Sequence, residues 1–180
     1  DLSIEGFDIS AEYLRAAQDL VFTDAHFAAG VDPAAYGDHL ERVAYVASSH
    51  RADPVILERF CTAFGYEPMV FPTADQKGRT IYHTNVLMTI ATEYALVCLA
   101  SISDPARRAE VADRLTESGR QVLDLTFEQV GEFAGNAIEL TGTDGRLLAL
   151  SSRAAAALTP DQRAVIERSA RLLPLSIPTI

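Results

Sequence analysis

His83 and Asn85 stand two residues apart in the run Ile81, Tyr82, His83, Thr84, Asn85, Val86. In an extended strand, residues i and i+2 project from one face, so this spacing predicts an imidazole beside an amide, with Thr84 turned away. An imidazole ordinarily titrates near neutral pH and can pass protons both ways, whereas a primary amide both donates and accepts hydrogen bonds. Together they make a proton-transfer group next to a polar recognition group at the mouth of a strand. The plainer alternative is a core histidine hydrogen-bonded to backbone. Two cysteines occur, Cys61 in a helical pattern and Cys98 in the aliphatic run YALVCLAS. Both read as buried thiols of a reduced, cytoplasmic protein. Four scattered histidines without a close His or Cys pair argue against a zinc site.

The elements that would carry these residues repeat along the chain. Asp53 with Pro54, Asp104 with Pro105 and Thr159 with Pro160 each pair a side chain that can accept from free helix N–H groups with a proline suited to the first helical position. These helix starts lie 51 and 55 residues apart, a period that marks a repeat architecture. The first unit, about 42–72, has the strand VAYVAS (43–48), a helix over 54–64 ended by Gly65, and a strand over 68–71. In the second, about 81–125, strands over 81–90 and 94–100 precede a helix over 105–118 and the strand QVLDL (121–125). A short helical turn near 129–133 leads to the third, about 136–177, with strands over 136–140 and 147–150, a helix over 160–170 and a strand over 172–177. The order is strand, strand, helix, strand, not the strict alternation of a doubly wound sheet.

Composition bounds the partners. With 48% hydrophobic and 22% charged residues the 180-residue chain is an ordinary globular sequence. A net charge of −10 and scattered basic residues argue against nucleic acid. The most apolar stretch, 85–102, is interrupted by Glu93 and several Thr and Ser residues, so it reads as buried strands, not a membrane span. The chain opens on Asp1 and Leu2 with no secretion signal, as though cut from something longer.

Three segments, YHTNVLM (82–88), RADPVILERFCTAFGYEPMVF (51–71) and FEQVGEFAGNAIEL (127–140), resemble the citrulline-utilisation hydrolases of the arginine deiminase and amidinotransferase superfamily, over roughly 42–180. The resemblance implies an α/β pentein-type propeller of ββαβ units, about three of five being complete within a single partial domain over 1–180. It also implies an amidine or ureido C–N hydrolase or amidinotransferase, using no metal or organic cofactor and taking a small-molecule substrate, with homo-oligomerisation open. In that superfamily the histidine of the His-x-Asp or His-x-Asn motif is the general acid/base, which maps to His83, and its neighbour, here Asn85, recognises the substrate's terminal nitrogens. A carboxylate at that place would pair with a guanidinium; an amide suits a neutral ureido group, so a citrulline-like substrate is expected ahead of arginine.

Asn136 follows His83 by 53 residues, about one repeat, and strand starts in a pentein converge on a central pore, so Asn136 is expected to bind substrate. Its rival role is that of a turn asparagine after Gly135. Glu139 is expected to be structural. Asp19, in DLVFTD, aligns with a substrate-binding aspartate of several penteins; a second alignment puts Arg15 to Gln18 where the family's acidic, glycine-rich segment belongs and removes that carboxylate. The family's nucleophile is a cysteine thiolate near the C-terminus, and neither Cys61 nor Cys98 matches its position. Three readings follow: part of a thiol-dependent hydrolase or amidinotransferase, a non-catalytic pentein that binds a ligand or partner, as the ribosome anti-association factor does, or an unrelated α/β domain.

Overall fold

The computed structural model describes residues 25–27, 42–50, 52–142 and 145–177. Helix starts behave as the sequence dictates. Asp53 accepts from the Val55 and Ile56 amides at 2.8 and 3.0 Å and opens α1 (Pro54–Phe64), and Gly65, at φ 69°, closes it in the left-handed conformation that glycine adopts without strain. Asp104 opens α3 (Pro105–Glu117) in the same way, and Thr159 and Gln162 form a reciprocal capping box on α6 (Pro160–Ile166). Between these lie the one-turn α2 (Thr84–Leu87), α4 (Phe127–Gly131) and α5 (Ser152–Ala157).

Among the described residues, nine strands form three sheets of identical plan: β1 (Ala25–Phe27), β2 (Val43–Ser48) and β3 (Glu67–Pro72); β4 (Met88–Ile90), β5 (Tyr94–Val97) and β6 (Gln121–Asp124); β7 (Ile138–Gly142), β8 (Gly145–Ser151) and β9 (Ala170–Leu175). In each, the first two strands pair antiparallel and the second and third pair parallel across a helical connection. That is the strand, strand, helix, strand order three times over. The mixed α/β class holds, and the first unit starts earlier than expected, because β1 lies upstream of residue 42.

Five of the six β2 residues are buried, Ala44 and Val46 on Leu57 and Cys61 of α1, and Val43, Tyr45 and Ala47 in the main core with Phe71, Leu96, Leu115 and Leu148. All four β5 residues are buried as well. A strand covered on both sides has no polar face to offer, which is why VAYV and YALV read as continuous apolar runs. Among the described residues no helix is long and apolar enough to cross a membrane.

Several boundaries differ from expectation. The run 81–90 is not one strand: residues 84–87 form a helical turn, and only Met88–Ile90 pairs with β5. Strand β5 stops at Val97 because Leu99–Ser101 turns as a 3-10 helix, leaving Cys98 just outside the strand. The third helix ends at Ile166 instead of residue 170, and β9 starts at Ala170.

Buried polar groups at the second and third sheets give one pH prediction. The Tyr94 hydroxyl and Glu139 Oε1 are buried without a hydrogen-bond partner among the described residues, while Glu139 Oε2 accepts from the Thr92 amide and hydroxyl at 3.0 and 2.5 Å. Burial first, and the Glu139 charge second, push the Tyr94 phenol well above its ordinary 10.0. Burial likewise pushes the Cys61 and Cys98 thiols above 9.0. A group whose pKa is raised on folding contributes stability below its unfolded value and loses it as pH climbs towards the folded one. Urea midpoints are therefore expected to fall above pH 9, as the unfolded chain releases thiol protons that the native chain retains, and more steeply above pH 10. Tyr94→Phe should flatten the second part of that fall and, by removing an unpaired hydroxyl, leave neutral-pH stability unchanged or raised by about 1 kcal/mol. An unaltered alkaline slope in this variant would contradict the assignment.

Candidate active site

His83 is extended, with φ −122° and ψ 115°, and immediately precedes α2. The pleat that would have aligned His83 with Asn85 is absent, so the side-by-side projection expected of a strand is corrected. The cause is tertiary. Thr84 is fully buried, and its hydroxyl accepts the Ala47 amide of β2 at 2.8 Å. Asn85 gives its carbonyl to Asn136, whose Nδ2 donates to it at 3.0 Å, and not to a strand partner. Gly135 lies against the backbone of Val86 and Leu87.

The segment before the turn is fixed to the first sheet. Thr73 donates to the Ile81 carbonyl at 2.5 Å, and Ser49 Oγ lies 3.4 Å from the Tyr82 carbonyl. The half-buried His83 ring packs on Tyr82, with centroids 4.5 Å apart, and Tyr82 in turn meets His50 at 5.9 Å. On the far side, Thr89 donates to the Gly135 and Ala137 carbonyls at 2.7 and 3.0 Å and accepts from the Ala137 amide at 3.1 Å. One short turn thus joins all three sheets.

The structure brings His83, Asn85 and Asn136 into one neighbourhood, although Asn136 is in the loop before β7 and not at a strand start. Its side chain donates to the Asn85 carbonyl of α2 and not within its own loop. Asp19 lies outside the described residues. Glu139 holds Thr92 and does not reach toward Asn136. The sequence reading gave no site role to Tyr82, His50 or Thr84: Tyr82 packs beside its neighbour His83, while His50 and Thr84 are recruited by long-range contacts. Cys61 and Cys98 are buried with thiols pushed up by burial, the reverse of an activated nucleophile. Among the described residues, no group of three or more His, Cys, Asp or Glu side chains is arranged to hold a metal ion.

The fold resembles that of ArgZ, an arginine dihydrolase from the ornithine-ammonia cycle in cyanobacteria: the apo enzyme superposes with a TM-score of 0.59 at 12% identity, over 86% of this chain and 21% of that one. The ArgZ N-terminal domain was solved as a Cys-to-Ser mutant bound to substrate and as an Asn-to-Ser variant covalently bound to a reaction intermediate. These give TM-scores of 0.57 and 0.58 at 13% identity, over 86% of this chain and 48% of theirs. The chain thus spans about half of that domain. No curated protein matches it in sequence. The profile described as N,N dimethylarginine dimethylhydrolase, eukaryotic, matches residues 24–180, and the chain belongs to that family, within the pentein superfamily.

Proposed function

We propose that this chain is part of a thiol-dependent hydrolase that cleaves a C–N bond of a ureido or guanidino group in a small molecule, in a reducing, cytoplasmic compartment. The observation that carries the reading is the family match over residues 24–180, with His83 held at the junction of three sheets. His83 is the general acid/base, and Asn85, Asn136 and Asp19 contribute to substrate binding. The three sheets are three of the five ββαβ units of a pentein propeller. Ile138 and Leu140 of β7 and Leu175 of β9 stay exposed on the third sheet, which suits a further unit packing there.

In this mechanism a thiolate forms a C–S bond to the central carbon, and the C–N bond breaks as His83 protonates the departing amine. His83 then takes a proton from water, which attacks the same carbon and releases the thiolate. The two buried cysteines are unsuited to that thiolate, so another segment or a partner chain supplies it. The amide of Asn85 favours a neutral ureido group over a guanidinium.

The test is turnover of citrulline, arginine and dimethylated arginine by the complete protein. A higher kcat/KM for citrulline is expected. Strong preference for arginine or its dimethylated form would overturn the role given to Asn85. Binding without turnover of any of them would favour a non-catalytic pentein.

A further inference from the structure

We propose that Thr84 is a positioning residue for His83, acting through the Ala47 amide; the inference rests on the acid/base reading of His83. The described pairing of β1 with β2 runs to Val46, opposite Ala25, so the next residue, Ala47, pairs with Phe71 of β3 but lies beyond the described β1 ladder. Ala47 is fully buried, and a buried N–H without an acceptor carries a desolvation cost of about 1–3 kcal/mol. The Thr84 hydroxyl meets it at 2.8 Å. The bond completes β2 and at the same time fixes the residue that follows His83.

The residues on the other side of His83 are held to the same unit, Ile81 by Thr73 and Tyr82 by Ser49. Of these three ties, only the Thr84 bond is wholly buried, where a hydrogen bond has no competing water. The backbone of His83 is therefore fixed from both ends against the first sheet, while the third sheet reaches α2 through Asn136. The orientation of the imidazole relative to substrate depends on where Thr84 sits on β2.

Thr84→Val keeps the volume and removes the acceptor; Thr84→Ser keeps the acceptor. In the complete enzyme, Thr84→Val is expected to lower kcat by roughly 10- to 100-fold with KM little changed, the scale of loss that follows displacement of a catalytic group by about 1 Å. Thr84→Ser should stay close to wild type. Asp104→Ala, which loses the cap of α3, worth about 1 kcal/mol, controls for stability and should leave kcat unchanged. Carbethoxylation of His83 by diethyl pyrocarbonate, followed by peptide mass spectrometry, gives a readout that needs no turnover. Its rate should rise by roughly threefold in Thr84→Val as the turn loosens, with His50 unaffected. Turnover with neither kcat nor the His83 rate altered in Thr84→Val would overturn the proposal, and so would a Ser variant as slow as the Val variant. If Thr84→Val does not fold, the Ser variant decides: wild-type kcat and carbethoxylation rate support the proposal, and a departure in either overturns it. A wild type without turnover whose His83 rate still responds to Thr84→Val would sink the hydrolase reading alone and leave the positioning role intact.

Discussion

His83→Ala in the complete, nucleophile-bearing protein is expected to lower turnover by about 10²- to 10⁴-fold, the range that one positioned acid/base supplies. The loss should fall on kcat, since in the proposed mechanism the imidazole acts in proton transfer to the departing amine and from the attacking water. Folding should survive. The ring is half-buried at the sheet junction, and its described ring contact is with Tyr82, a pair worth about 0.5–1.5 kcal/mol. The backbone on either side is held by hydrogen bonds from Thr73 and Ser49 and by the Thr84 bond to Ala47. His50 supplies the control: it is exposed and touches the same Tyr82 ring from 5.9 Å, so His50→Ala should leave kcat near wild type. Steady-state kinetics with a thermal melt for each variant make the check. Unchanged turnover in His83→Ala would remove His83 from the mechanism, and a collapse confined to His50→Ala would move the role across the aromatic cluster.

What the sequence showed and what it hid divide along one physical line. Asp53, Asp104 and Thr159 announced their helices because a cap acts within three residues, and all three helices begin where the caps place them. Ser151 is the same kind of signal, accepting from the Ala154 amide at 3.0 Å ahead of the alanine run of α5, and sequence reasoning could have found that helix. Helix α2 is different. Thr84 and Val86 are β-branched and the flanking residues are extended or aliphatic, so local preference favours a strand. The turn exists because Ala47, 37 residues away, Gly135 and Asn136 each meet it. None of those contacts leaves a local trace. The motif Tyr82 to Met88 carries the family likeness, while the side-by-side geometry deduced from its strand period is absent. Asn136 shows the same division: its repeat spacing placed it near His83, but only the fold reveals that its side chain serves the Asn85 carbonyl.

Gly135→Ala tests that long-range origin most directly. A Cβ built on Gly135 would lie 2.6 Å from the Val86 carbonyl oxygen and 2.7 Å from the Leu87 carbonyl carbon, closer than real Cβ atoms come. Both are backbone atoms, so no rotamer change relieves the contact. Nor can the Gly135 segment easily withdraw: its carbonyl accepts from buried Thr89 at 2.7 Å, and the Ala137 amide donates to the same hydroxyl at 3.1 Å. One side must shift, and either movement strains the turn that follows His83. The expected cost is about 2–3 kcal/mol, typical of overpacking against an unyielding neighbour, or a fall in Tm of roughly 4–12 °C at this chain length. Gly131→Ala should behave oppositely, because nothing lies within 4 Å of its added Cβ and it ends α4; a gain of up to about 1 kcal/mol is expected. In the complete enzyme only the Gly135 variant should also slow turnover, since only its strain reaches α2. A Gly135→Ala protein that melts with wild type would show that the third sheet does not press on the turn, and would leave Thr84 alone to explain why residues 84–87 are helical.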